Sequence, residues 1–460
     1  MPFSLERYEL GKTLIVSTSG VRGIVGGGLD PVLATRFAAG FATLLKKGKV
    51  VVGRDSRVTG DMISRSVVAG LVSCGLDVID IGMVPTPTVE IAVTGLKAVG
   101  GICITASHNG AQWNALKFFD HKGEFIDNKS LNKLKKVIES EKFAYMDFAN
   151  IGMVKNDNSW VDRHIAKVLK LPAVDVRKIR RAKFKVVVDA INGAGSIALP
   201  RLLESLGVKV IRLNCNGDGK FVHEPEPIPK NLTALARAVR KHKADLGMAC
   251  DPDADRLALV DEHGRAIGEE LTLALAVKYI MSRKKGKVVI NLSTSRVTQD
   301  AAEAFGGRVH YTPVGEANVV AGIRHHRAVI GGEGNGGVIY PACHAGRDAL
   351  VGAALICSLL AHEKKSLSET VETLPKYYTI KQKAALPDKF NHRLAAMEKA
   401  AKGSFEKLKC DHRDGVRCDF SRGWFQVRTS NTEPIFRVIV ETDDKKLSEV
   451  IAAEVMSFFK

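Results

Sequence analysis

The sequence predicts a multidomain α/β chain that closes in a smaller α+β domain. Three observations carry that reading. First, β-branched runs recur at wide spacing, as "KVVVGRDSR" from Lys49, "KVVVDAINGAG" from Lys185 and "KVVINLSTS" from Lys287, each ending in small or polar residues. Apolar runs without polar alternation are expected of strands covered on both faces. Second, helix-like segments at 33–45, 196–206 and 271–281 alternate with these runs. Strand–helix alternation is the pattern of βαβ units and a parallel sheet. Third, the rhythm changes near residue 370. The runs "YTIKQKAAL", "VRCDF", "WFQVRTS" and "FRVIVET" then share the chain with helix-like segments at 389–407 and 447–459, as in an α+β domain. A chain of 460 residues has room for three or four domains. The limits are set at 1–152, 153–255, 256–370 and 371–460. The first three look like related units, a structural repeat without a sequence repeat.

The composition, 45% hydrophobic and 26% charged, is that of a folded chain. No apolar run reaches the ~18 residues of a membrane span. The first residues, Met1 to Arg7, lack a long apolar core, so a secretory leader is not expected. The eight cysteines are scattered without a C-x-x-C pair, and reduced, buried thiols in a cytoplasmic protein are the expectation. The net charge is +18, but aromatics are only 6% and none interleave with the densest basic cluster, 177–183. Nucleic-acid binding is therefore disfavoured against a general attraction for anionic substrates.

Asp251-Pro252-Asp253-Ala254-Asp255-Arg256 is the strongest chemical signal. Three carboxylates at alternate positions repel unless a cation lies among them, and hard oxygen ligands suit Mg²⁺ or Ca²⁺. Asp251, Asp253, Asp255 and Glu262 fall at carboxylate positions of an EF-hand loop, but Arg256 stands where its turn needs glycine and 257–260 reads as a strand. An acidic turn at a strand end is the alternative. Gly332-Glu333-Gly334-Asn335-Gly336-Gly337 has the form of a dinucleotide fingerprint, but no helix follows it. Its glycines suit close approach of backbone to a ligand, with Glu333 and Asn335 presented, or else a plain tight turn. The run from Arg428 through Thr429, Ser430, Asn431 and Thr432 to Glu433 and Pro434 gathers an arginine, three hydroxyls and an amide after a strand, which is equipment for a phosphate dianion. A capped turn is the alternative there. The loop 17–23 carries small residues and Arg22, with no P-loop pattern. In "TASHNGAQWNALK", Ser107 lacks a nucleophile-elbow sequence, and adjacency to His108 does not imply a Ser–His pair. Taken alone, Ser107 is a nucleophile or a helix cap.

Together these motifs resemble the α-D-phosphohexomutase family, which includes phosphoglucosamine mutase, phosphomannomutase and phosphoglucomutase. The resemblance covers essentially the whole chain, with the motifs in family order. It implies four domains around a central cleft. It implies Ser107 as the phosphoserine, Mg²⁺ held by Ser107, Asp251, Asp253 and Asp255, and a sugar site at Glu333 and Asn335. A substrate-phosphate site follows at Arg428, Ser430, Asn431 and Thr432, with Arg256 also facing substrate. Arg22 matches an arginine facing the phosphoserine, and Lys117 the lysine after the serine loop. The implied reaction moves phosphate between O6 and O1 of a hexose through a hexose 1,6-bisphosphate. Glucosamine phosphate is placed slightly ahead of mannose or glucose phosphate, and the chain is taken as a monomer or homodimer. A Mg²⁺-dependent sugar phosphatase, and a non-catalytic sugar-phosphate or nucleic-acid binder, stay as alternatives.

Four positions depart from the commonest family pattern. Gly110 stands where proline often follows, and Ala115 replaces a frequent glycine. Asn335 and Gly337 replace the serine and histidine of an S-G-H form. The histidine is a proposed acid/base, so that role falls to Lys117, if nearby cations lower its pKa, or to His108, with His344 a weaker candidate.

Overall fold

Each β-branched run becomes an interior strand of a covered sheet. The computed structural model describes residues 13–430 and 435–460, and four sheets follow one another along the chain. The first holds β1 (Ile15–Ser17), β2 (Gly20–Ile24), β3 (Lys49–Arg54), β4 (Asp77–Met83), β5 (Gly100–Ile104), β6 (Trp113–Asp120) and β7 (Val154–Asn156), in the order β1-β2-β6-β5-β3-β4-β7. The second holds β8 (Lys185–Asp189), β9 (Lys209–Leu213), β10 (Leu246–Cys250) and β11 (Leu257–Asp261), in the order β11-β10-β8-β9. The third holds β12 (Lys287–Asn291), β13 (Arg308–Thr312), β14 (Ile330–Glu333) and β15 (Gly337–Ile339), in the order β13-β12-β14-β15.

The repeat is exact in topology where sequence shows none. In each sheet a leading strand pairs parallel with two neighbours, and the second of these turns back into an antiparallel partner. That turn is β5–β6, β10–β11 and β14–β15 in the three sheets. The serine, aspartate and glycine loops are these three turns, so one position in the repeat is used three times. The fourth sheet is wholly antiparallel, β16 (Tyr378–Ala385), β17 (Lys409–Asp411), β18 (Val416–Phe420), β19 (Gly423–Thr429) and β20 (Ile435–Thr442), in the order β16-β20-β19-β18-β17.

The helix Ala349–Glu363 is apolar all round and buried from Ala349 to Leu360, as a helix enclosed by other elements must be. One continuous apolar core runs from Val51 and Trp160 through Val186 and Leu257 to Leu355, joining the first three units. The C-terminal unit has its own core around Phe425, Phe436 and Val455. Among the described residues no helix is long and apolar enough to cross a membrane. The expectation of uniformly reduced cysteines fails at one pair. Cys410 and Cys418 face each other across β17 and β18 with Cα atoms 4.1 Å apart, and they are disulfide-bonded; the other six are free.

Candidate active site

The serine loop leaves β5 and turns at once. Ser107 has a left-handed backbone, φ +49°, and is buried. Its hydroxyl donates to Asp251 Oδ2 at 2.9 Å, which joins the serine loop to the aspartate loop of the second sheet. His108 Nδ1 lies 3.3 Å from the same Oγ. Adjacency therefore does make a Ser–His contact, contrary to the sequence expectation, because the left-handed turn brings the two side chains to one side. Burial, with Arg256 and Arg22 nearby, pushes the His108 imidazole well below its usual pKa. Arg22 Nη1 donates to Asn109 Oδ1 at 2.6 Å, and burial lowers its pKa to about 10.

The three aspartates converge as expected. Asp251 Oδ1 accepts the backbone N–H groups of Asp255 and Arg256. Asp253 Oδ2 accepts from Lys117 Nζ at 2.6 Å and Thr86 Oγ1 at 2.5 Å. Asp255 Oδ2 accepts from Arg347 Nη2 at 2.6 Å, with Lys117 Nζ at 3.5 Å. Burial raises Asp251 well above the carboxylate range, and Asp255 and Asp253 push it further. Burial also acts on Asp255, but Arg347, Lys117 and Arg256 outweigh it and hold that carboxyl low. Asp253 Oδ1 and Asp255 Oδ1 are buried with no hydrogen-bond partner. Buried carboxylate oxygens need partners, and a hard divalent cation fits this all-oxygen set. Lys117 corrects the sequence expectation. Its nearest charges are carboxylates, not cations, so although burial alone would lower its pKa, Asp253 and Asp255 hold it above the usual lysine range.

Glu333 ends β14 fully engaged. Its Oε1 accepts from Asn291 Nδ2 at 2.8 Å and Gly315 N at 3.0 Å, and its Oε2 from Arg347 Nη1 at 2.7 Å. Asn335 Oδ1 accepts the Gly337 N–H. The space that a side chain at Gly337 would enter is filled, since a Cβ there would run into Cδ of Arg347. Arg256 is buried, with Nη1 3.5 Å from Glu226 and Nε without a hydrogen bond, 3.9 Å from Asp255 Oδ1. His344 lies between Glu90 Oε2 and Asp348 Oδ2, each at 3.0 Å.

Arg428 lies at the end of β19 and Ser430 just beyond it; Asn431 and Thr432 lie outside the described residues. Burial lowers the Arg428 pKa, and its Nε is buried without a partner. The C-terminal unit meets the third sheet through Arg417, whose Nη1 donates to the Leu292 carbonyl at 2.7 Å. Its guanidinium stacks near Tyr311 and Trp424. Ser293 Oγ donates to Gln426 Oε1, and Val314 N to Asp414 Oδ2.

Sequence reasoning missed Asp55, Arg57, Thr86 and Arg347. The signal was present in "GRDSR" and "GRDA", where an arginine and an aspartate end an apolar run or precede a helix. Asp55 and Arg57 also pair with each other, but the contacts that tie these residues to the site lie far along the chain, so no local spacing marks them.

Family profiles described as phosphoglucomutase/phosphomannomutase α/β/α domains I, II and III and C-terminal domain match residues 13–145, 162–264, 269–378 and 382–457. The chain is 37% identical to a "Probable phosphoglucosamine mutase" of Methanopyrus kandleri, over 95% of this chain and 96% of that one. It is also 37% identical to a "Phosphoglucomutase/phosphomannomutase" of Thermococcus kodakarensis, over 94% and 95%. The crystal structure of a phosphoglucomutase/phosphomannomutase family protein from Burkholderia thailandensis superposes with a TM-score of 0.83 at 25% identity, over 96% and 97%. Relatives matched over nearly the whole chain are phosphohexomutases, which makes the class an intramolecular phosphotransferase among the isomerases. The chain belongs to the phosphoglucomutase/phosphomannomutase family, the α-D-phosphohexomutases.

Proposed function

We propose that this chain moves phosphate reversibly between O6 and O1 of a hexose, with Ser107 as phosphoryl carrier and glucosamine 6-phosphate as preferred substrate. The observation that carries the reading is the 2.9 Å bond from Ser107 Oγ to Asp251, which joins the carrier to a cluster of carboxylates in which Asp253 Oδ1 and Asp255 Oδ1 have no hydrogen bond. Asp251, Asp253 and Asp255, with the Ser107 phosphate, would hold Mg²⁺. When bound, that ion would stabilise charge developing on the transferring oxygens.

The chain's own residues supply the rest. Arg22 faces the serine loop and adds positive charge beside the phosphoryl group. His108 Nδ1 touches Ser107 Oγ and is the group placed to exchange the proton there as the phosphoryl group leaves or returns. Lys117 balances the aspartates as an ammonium. Glu333, held by three donors, keeps lone pairs in a fixed direction for sugar hydroxyls, beside Asn335. Arg428, Ser430, Asn431 and Thr432 would grip the phosphate that is not reacting, and Arg256 the substrate in the cleft. The four roles follow the proposed limits 1–152, 153–255, 256–370 and 371–460. The enzyme would act in the cytoplasm, as monomer or homodimer, with a hexose 1,6-bisphosphate as intermediate.

A substrate panel tests this. Glucosamine, mannose and glucose 6-phosphates are supplied with Mg²⁺ and catalytic 1,6-bisphosphate, and 1-phosphate formation is followed. The highest kcat/KM is expected for glucosamine 6-phosphate. No isomerisation of any sugar, with phosphate confirmed on Ser107, would overturn the reading. A preference for mannose or glucose is the second reading, and the Thermococcus relative's name supports it.

A further inference from the structure

We propose that Arg57 is the positioning residue of the serine loop. Its buried guanidinium folds the loop around itself and turns the loop's peptide N–H groups toward the transferring phosphoryl group. The inference rests on Ser107 being the phosphoryl carrier. Arg57 follows β3 in Gly53-Arg54-Asp55-Ser56-Arg57 and is 2% exposed. A guanidinium has five N–H donors in one plane, and here each has an acceptor. Nε donates to Asp55 Oδ2 at 3.0 Å. Nη1 donates to the carbonyls of Gly110 at 2.7 Å and Trp113 at 2.9 Å. Nη2 donates to those of Ser107 at 2.6 Å and Asn109 at 2.7 Å.

Asp55 locks the arrangement. Its Oδ1 accepts the Arg57 N–H at 2.9 Å and its Oδ2 the Thr105 hydroxyl at 2.6 Å. Thr105 Oγ1 in turn accepts the Ser107 N–H at 2.9 Å. The loop after β9 closes the far side. The Phe221 ring lies 5.0 Å from the guanidinium carbon, and Gly219 rests so close to Ser56 that a Cβ would strike the Ser56 carbonyl oxygen.

Two consequences reach the chemistry. A left-handed backbone at a residue with a side chain persists only where its surroundings over-determine it, and four carbonyl anchors around Ser107 do so. A trans peptide also points its C=O opposite to the next N–H. Carbonyls of Ser107, Asn109 and Gly110 aimed at Arg57 leave the N–H groups of His108, Gly110 and Ala111 aimed away from it. Among the described residues these three donate to no protein acceptor. The Asn109 N–H between them donates to the Ala106 carbonyl at 3.1 Å, so the successive pair Gly110 and Ala111, with His108, makes the anion-binding concavity. Lysine cannot substitute, because it is a point charge without the planar fork.

The test uses the full chain with Arg57→Lys and Arg57→Ala, measuring kcat, KM and phosphate uptake on Ser107 from glucose 1,6-bisphosphate. We expect kcat to fall roughly 10-fold for lysine and roughly 100-fold for alanine, with KM within about 3-fold, as misorientation rather than lost binding predicts. Guanidinium ion at low millimolar concentration is expected to restore kcat of the alanine variant about 10-fold, where methylammonium does not. A folded alanine variant with kcat within about 3-fold of the parent, or a loss confined to KM, overturns the assignment. If alanine prevents folding, a lysine variant with kcat within about 3-fold of the parent does the same. A parent enzyme that takes no phosphate on Ser107 sinks the carrier reading instead, and that is seen before any variant is compared.

Discussion

Two buried clusters of acids and bases share this fold, and they close their charges differently. One holds Asp251, Asp253 and Asp255 against Lys117 and Arg347. The other joins the units through Glu90, His164, His344 and Asp348. There, Asp348 Oδ2 meets His164 Nε2 at 2.8 Å and His344 Nε2 at 3.0 Å, while its Oδ1 caps the helix Ala349–Glu363. Thr88 Oγ1 lies 2.9 Å from His164 Nδ1, and Glu90 forms an ion pair with His344. Geometry alone would admit a cation in either place, since His164, Cys343 and Asp348 also converge. Each carboxylate of the second cluster faces an imidazole: Glu90 that of His344, and Asp348 those of His164 and His344. In the aspartate cluster Asp253 Oδ1 has no partner and Asp255 Oδ1 only the Arg256 Nε at 3.9 Å, whereas Glu90 Oε2 and His344 Nδ1 of the second cluster lie 3.0 Å apart. Charge closed on itself belongs to the scaffold; charge left open marks where a ligand completes the set.

Four experiments press on that contrast. Ser107→Ala should cost at least about 10⁴-fold in kcat while leaving the fold intact and the aspartates still able to take a cation, more weakly without the serine phosphate. Activity surviving it would detach the open cluster from the serine. Asp253→Asn should lower kcat by about 10²–10³-fold and raise the Mg²⁺ requirement, and chelation should mimic it reversibly. If chelation instead melts the junction of the first three units, the cation belongs to the histidine cluster.

The closed cluster should reveal itself in stability. Burial lowers the His344 pKa, but hydrogen bonds to Asp348 and Glu90 more than compensate and raise it to about 9 from 6.5. A raised folded pKa means that stability is fully present below about pH 6.5 and is lost as pH rises through about 9, worth about 3 kcal/mol. Thermal melts should fall across that window, and His344→Gln should flatten the profile with kcat within about 3-fold of the parent. Glu90, Asp348 and the edge-on His164 ring, at 6.2 Å, are the groups facing it. The smallest effect, about tenfold in kcat, is expected for Gly337→His, because the imidazole would push Arg347 off Glu333 and Asp255. A gain of activity would instead place the proton at position 337.

The chemistry of the loops was legible where it is local. Three carboxylates in one turn cannot sit together without a reason, and a strand ending in glycines announces close approach. The strands around them were legible from unbroken β-branched runs such as Val50-Val51-Val52. Arg57 and Arg347 were not, because one looks like an ordinary polar end to an apolar run and the other like a residue ahead of a helix, until partners some 50 and 90 residues away fold against them. The Lys117 environment inverted for the same reason. The aspartates that set its charge come from another unit, and nothing near Lys117 in sequence announces them. The topological repeat was legible only as rhythm, since the turns shared by the three sheets have no common motif.

The bonds that make the cleft also constrain how this gene can change by exchange. Ser107 to Asp251, Lys117 to Asp253 and Arg347 to Asp255 each cross from one sheet to another, over a core continuous through all three. Recombination that replaces one of those sheets with a relative's must match both the polar contacts and the apolar surface at once. The C-terminal unit, with its separate core and a seam anchored at Arg417, Gln426 and Asp414, is the segment that could be traded between lineages with the fewest compensating changes.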